Sequence, residues 1–214
     1  MDVSDEAMSF TDPPAWPHAE ADLLREEPDW WVVACLDWSR DRWLGYISGY
    51  SKAAGVIADQ IMSSGRDQDT LIYPFVMCWR HYIELQLKTL IVLASNYLDE
   101  PHVPMRSHSI DVLWRRARPL LERSFPSDDQ TDLDNAERVF LQLHGMDPSS
   151  EHFRYPVRNS GAPTLDGIAR IHVRNFHNVM VGVANLLDGA DTGIREMTDT
   201  KHEIAEYEVD LYED

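Results

Sequence analysis

Between Ile72 and Tyr97, apolar side chains return at steps of three and four: Ile72, Phe75, Trp79, Ile83, Leu87, Leu90, Ala94 and Tyr97. That spacing draws one apolar stripe along an α-helix of about seven turns and predicts a helix over 70–98. Such a stripe must be buried against something of comparable length. The partner precedes it. Trp43, Ile47, Tyr50, Ala54, Ile57 and Ile61 carry the same spacing in a helix predicted over 34–63, and Ser63, Ser64 and Gly65 end it. Two long helices joined by a few residues form an antiparallel hairpin.

The remaining elements are also helical. Pro101 and Pro104 mark a loop, after which Ile110, Leu113, Trp114, Ala117, Leu120 and Leu121 predict a third helix. Pro119 within it should bend or shorten it. Thr131 to Asp134 resembles a capped start for a fourth helix carrying Leu133, Ala136, Phe140 and Leu143, with Gly145 as its stop. Residues 146–163 read as a loop in which Phe153–Val157 can extend as one short strand. A last helix is predicted from Thr164 to Leu187, with Leu165, Ile168, His172, Phe176, Val179, Val183 and Leu187 on its stripe and Gly189 ending it. Five helices without paired strands define an all-α antiparallel bundle with a long first hairpin.

Charge divides the chain further. It has 214 residues, 37 Asp+Glu against 19 Lys+Arg and a net charge of −18. Nine acids and one base lie in 1–29, and eight acids and two bases in 195–214. The division expected is an acidic irregular arm over 1–29, one helical domain over 30–190 and an acidic tail over 191–214. Acidic ends repel polyanions, which argues against a broad, sequence-independent DNA-binding surface. The first residues lack an apolar core for a signal peptide, and no run of 18 apolar residues can span a membrane. Cys35 and Cys78 lie in apolar stretches predicted helical, which points to buried thiols in a reducing cytoplasm.

Glycine-rich phosphate loops, paired Cys-x-x-Cys motifs and the paired Glu-x-x-His signature of di-iron bundles are absent, so the expectation is no metal and no cofactor. Three constellations remain. Arg80, Glu84 and Lys88 stand four apart on the second helix, opposite its apolar stripe, with His81 beside them. They read either as a solvated salt-bridge ladder or as an anion clamp with a proton-shuttling His81. Arg154 lies between Phe153 and Tyr155 in the loop. It suits phosphate binding, or else it pairs with Asp147 or Glu84 and staples the loop. Arg170, Arg174 and His177 fall within about 60° of one another on an ideal last helix. They form either a solvated basic face or a set able to cleave a phosphodiester, with His177 moving the proton and the arginines neutralising phosphorane charge. His172, in the apolar stripe, reads as a hydrogen-bonded core histidine.

The run Trp-Arg-His-Tyr-Ile-Glu-Leu-Gln-Leu-Lys over 79–88, His-Ser-Ile-Asp-Val-Leu-Trp over 108–114 and Phe-Arg-Tyr-Pro over 153–156 resemble bacterial helical proteins related to the HEPN superfamily. The resemblance covers roughly 70–187. It implies a four-helix core, frequent dimerisation and roles in defence, toxin–antitoxin or stress systems. It also implies, in active members, a metal-independent ribonuclease whose Arg and His stand four to six residues apart on a late helix. Arg170 and His177 have six residues between them, with Ile171 where the family places a polar residue. Arg174-Asn175 has the Arg-polar start, but only two residues precede His177. Two functions are therefore expected to compete. One is a HEPN-like module that binds RNA or a nucleotide phosphate, with His177, Arg170 and Arg174 as catalytic residues and Arg80, His81, Glu84, Lys88 and Arg154 as binders. The other is a non-catalytic interaction protein acting through a protein partner. The apolar stripe of the first helix predicts a homodimer in both.

Overall fold

The computed structural model describes residues 16–17, 19–25, 28–39, 41–101 and 104–213, with side chains as far as residue 207; most of the acidic arm expected over 1–29 lies outside the described residues. The chain divides into two units, Met1–Trp38 and Ser39–Asp214. The first unit contains a short 3-10 turn, Trp30–Val32. Trp30 and Trp31 meet there edge to face with ring centroids 6.3 Å apart, and both are exposed. Cys35 is exposed in this unit, outside any helix, so of the two thiols expected to be buried only Cys78 is. Burial pushes the Cys78 thiol above its ordinary pKa.

The second unit is all-α, with no strand among its described residues. Its helices are α1 (Arg42–Ser64), α2 (Gln68–Tyr97), α3 (Ile110–Ser124), α4 (Thr131–Met146) and α5 (Val173–Glu213). The predicted hairpin is α1 and α2. Asp41 caps α1 by accepting the Trp43 N–H at 3.0 Å, so the helix begins at Arg42 rather than 34. Gly65 ends it in the left-handed region, φ 63°, with its N–H donating to the Ile61 carbonyl at 2.9 Å. Ala54 and Ala58 have no exposed surface, and their small side chains let α1 lie close on α2.

α2 is the central helix, with α1, α3 and α5 all packed on it. Phe75, Ile83, Leu87, Leu90 and Ala94 are fully buried, as the stripe predicts. Arg80, Glu84 and Gln86 are buried too. A helix enclosed by three neighbours keeps little solvated face, so the side opposite its stripe is not a solvated ladder, and its polar groups need partners inside the protein.

Pro119 does not end α3, which runs to Ser124 and buries Leu113, Trp114, Ala117, Leu120 and Leu121. Trp114 packs on Phe140 of α4 with ring centroids 4.8 Å apart. α4 continues past Gly145 to Met146. The expected short strand is absent; Val157 and Pro163 form only an isolated antiparallel bridge, supported by Thr164 N–H donating to Pro156 O at 3.0 Å. Leu165 at φ 56° and Gly167 at φ 82° hold that stretch out of helical geometry. α5 therefore starts at Val173, capped by His172, whose Nδ1 accepts the Asn175 N–H at 3.2 Å. It passes through Gly189 and continues to Glu213. No described helix is long and apolar enough to cross a membrane.

Candidate functional site

Arg80, 1% exposed, is the hub of a buried ionic network. Its Nη1 lies 3.2 Å from Glu84 Oε2, and its Nη2 donates to the His108 carbonyl at 2.8 Å. Its Nε lies 3.3 Å from both the carbonyl and Oδ2 of Asp147. Glu84 Oε1 accepts from Lys88 Nζ at 2.8 Å and lies 2.8 Å from His108 Nδ1. Asp147 Oδ1 accepts the N–H groups of Glu151 at 2.8 Å and His152 at 3.1 Å. One guanidinium thus ties α2 to the α2–α3 connection and to the loop after α4. Each of its three nitrogens has a protein acceptor, and the two carboxylates offset Arg80 and Lys88. Loop stapling, one of the two readings open for Arg154, is performed by Arg80 instead.

Burial pushes the Glu84 carboxyl up, but hydrogen bonds from Lys88 and His108 outweigh this and hold it below its ordinary value. His81 packs edge-on to Tyr50, with centroids 4.4 Å apart. Burial lowers its pKa, Glu84 opposes that, and Arg80, Lys88 and Arg154 add to it, so the imidazole is neutral at neutral pH. Arg154 is exposed; its Nε donates to Ser150 O at 2.6 Å and its guanidinium stands 5.7 Å from the Tyr155 ring centroid.

The third set is arranged differently from its helical-wheel reading. Arg170 precedes α5, so the shared-face argument does not reach it. It lines a 300 Å³ cavity with Met146, Ile168, His172 and Asn175, and none of Arg80, Arg154, Arg174 or His177 joins that lining. His172 is exposed at the helix cap, whereas His177 is half-buried, 5.6 Å from the Trp79 ring and 6.2 Å from Phe75. The two histidines exchange the surroundings expected of them. His177 stands one turn before Met180 and two before Ala184, on the face that α5 buries. Its Nδ1 is buried without a partner.

A different pattern emerges from ion pairing. Arg115 pairs with Asp111, Arg118 with Glu122, Asp134 and Glu137, Arg123 with Glu100, Arg195 with Asp191, and Lys201 with Asp99. Arg154, Arg158, Arg170 and Arg174 are all exposed and none pairs with a carboxylate among the described residues; the same holds for Arg42, Lys52, Arg66, Arg106 and Arg138, but those are dispersed among acids. Asp166 is the sole acid between residues 152 and 187. Arg174 also occupies the first turn of α5, where a cation opposes the helix dipole at about 0.3–1 kcal/mol.

Sequence reasoning missed the polar rungs between α2 and α5. Tyr82 Oη donates to Asp188 Oδ1 at 2.7 Å, and Gln86 Nε2 donates to Asp191 Oδ2 at 3.3 Å. Their signal was present: Tyr82 and Gln86 stand four apart, and Asp188 and Asp191 three apart, on two long helices. Comparison with family models, curated proteins and solved structures gives no match to this chain.

Proposed function

We propose that this chain is a HEPN-like helical module that binds the phosphate backbone of single-stranded RNA without cleaving it. The observation that carries this reading is the stretch between residues 152 and 187, where Arg154, Arg158, Arg170 and Arg174 are exposed without carboxylate partners and Asp166 is the sole acid, in a chain of net charge −18. The acidic remainder repels a polyanion, which confines contact to the segment from Arg154 to Arg174. Tyr155, 56% exposed beside Arg154, offers a ring on which a base can stack. Binding without turnover is supported by Arg170 lying outside α5 and by His177 packing against two aromatic rings. A role in a defence or toxin–antitoxin system belongs to the same proposal.

If each arginine meets one phosphate, the logarithm of affinity falls with the logarithm of salt at a slope of about −3, a loss of about fifty-fold between 50 and 200 mM. Arg170→Ala combined with Arg174→Ala should flatten that slope by about 1.4. The experiment is titration of a labelled unstructured RNA in EDTA, followed by gel analysis of the RNA. Intact RNA and the flattened slope are expected. Cleavage lost in His177→Ala would replace the reading with a ribonuclease, and no binding at low salt would end it.

The HEPN-like reading includes a homodimer. Most of the first-helix stripe that suggested it is buried within the chain, at Ile47, Ala54 and Ile61, so its remaining support is the exposed start of α1, Trp43, Leu44 and Tyr46. Light scattering at micromolar concentration should give twice the chain mass of 24.6 kDa; a single-chain mass removes this part of the proposal.

A further inference from the structure

The 300 Å³ cavity on which Arg170 stands is enclosed by α4, the start of α5 and the connection between them. Leu165 and Gly167, both with positive φ, turn that connection, and beyond the turn Ile168 and Ile171 form one wall. Leu143 and Met146 of α4 and Phe176 and Met180 of α5 form the others. Leu143 and Met180 are buried, so the cavity has an apolar floor. Phe176 supplies the one aromatic ring among its apolar residues. Walls of this kind suit a flexible aliphatic chain better than a stacked base.

The polar groups on the lining share one character. Arg170 brings a guanidinium that pairs with no carboxylate among the described residues, and Gln142 and Asn175 bring amide N–H groups. His172 Nδ1 accepts the Asn175 backbone N–H, so its ring proton sits on Nε2. All four therefore offer a donor, and all four are exposed residues that a solute can reach. No Asp or Glu lines the cavity, although the chain carries 37 of them. The neighbouring 350 Å³ cavity, lined by Leu121 and Leu186, carries Asp129 and Asp132. An apolar hollow with one unpaired guanidinium and no carboxylate is complementary to a monoanion with an apolar body.

We propose that this cavity binds an aliphatic monocarboxylate of medium chain length. Its carboxylate takes Arg170, whose planar fork matches two oxygens, and its chain lies along Leu143, Met146 and Ile171. At about 30 Å³ for each water-sized group, the cavity holds about ten such groups, as many as octanoate has non-hydrogen atoms. One guanidinium balances one negative charge. A polyanion would need Arg154, Arg158 or Arg174 as well, and none of these lines the cavity. The site shares Arg170 with the proposed RNA surface but does not depend on RNA binding. A chain of net charge −18 attracts cations in general, so capture of an anion reports a local site rather than the overall field.

The probe is octanoate, titrated without RNA into the full chain at constant ionic strength. The readout is the methyl NMR signals of Met146 and Met180, which line the cavity. Octanoate is expected to shift both to saturation, and octylammonium, with the same chain and the opposite charge, to shift neither. Each methylene removed from water adds about fourfold in affinity, so hexanoate should bind about fifteenfold more weakly. Arg170→Gln should weaken octanoate at least about fivefold. Arg170 is exposed and has no carboxylate partner, so the melting temperature of that variant should hold. No shift with octanoate, an equal response to octylammonium, no loss on shortening to hexanoate, or full affinity in Arg170→Gln would overturn the proposal. Because RNA is absent from the titration, failure of the RNA reading leaves each of these results standing.

Discussion

Arg80→Met is expected to cost about 3–5 kcal/mol of folding stability, because it removes one partner from buried ion pairs and leaves the others behind. Asp147, with its side chain 2% exposed, would keep its two backbone donors but lose its only cation. Methionine fills much of the vacated volume, so the loss reports charge more than cavity. Lys88→Met should cost much less, since Glu84 retains Arg80 and His108 and the Lys88 side chain is 13% exposed. Adding Asp147→Asn to Arg80→Met should recover part of the loss, because a neutral amide oxygen still accepts the Glu151 and His152 N–H groups. Urea unfolding at pH 7 measures all three, and equal losses for Arg80→Met and Lys88→Met would contradict the role of Arg80 as hub. The pH dependence belongs to Lys88. The folded pKa of Glu84 is depressed, so the stability its partners supply is full above the ordinary value of 4.5 and fades as pH falls through the lower folded value. The difference between the unaltered chain and Lys88→Met should narrow over that window.

The first hairpin was legible because the apolar stripes of α1 and α2 keep the three-and-four spacing along the length of each helix, and Pro74 in the second turn of α2 does not break it. The Arg80, Glu84 and Lys88 stripe was equally legible as a stripe, but its surroundings were not. Whether a helix face meets water depends on how many neighbours the helix has, and α2 has three. The partner that completes the network, Asp147, lies 67 residues from Arg80, beyond the reach of any local pattern. At the start of α5 the apolar spacing misled. It runs unbroken through Leu165, Ile168 and His172, yet Leu165 adopts a left-handed backbone, so the ideal wheel assigned Arg170 to a helix it does not join and exchanged the settings of His172 and His177. A glycine misled at the other end. Gly189 carries the mark of a helix stop, while Leu187, Ala190, Ile194 and Met197 keep the three-and-four spacing beyond it. Burial along that stripe outweighs the roughly 1 kcal/mol that a helical glycine costs relative to alanine.

Ile194→Ala tests that last point by the sign of its effect. Ile194 is fully buried in the second half of α5, within the stretch that acidity alone marks as a tail. The contacts around it are close: a Cβ on Gly193 would stand 3.1 Å from the Phe125 ring, so glycine there lets α5 approach the end of α3. About two turns further on, Lys201 Nζ donates to the Tyr97 carbonyl at 2.9 Å and pairs with Asp99 just past the end of α2. Removing three carbons from a site held on both sides should cost about 2–5 kcal/mol, since the cavity cannot close fully. Ile204, 55% exposed on the same helix, should lose almost nothing as Ile204→Ala. A solvated tail would respond the other way at both positions. Alanine has the higher helix propensity, so each substitution would then leave stability unchanged or raise it by a few tenths of a kcal/mol. A loss confined to Ile194→Ala in urea unfolding requires α5 to be docked well past Gly189, and a gain at both positions excludes it.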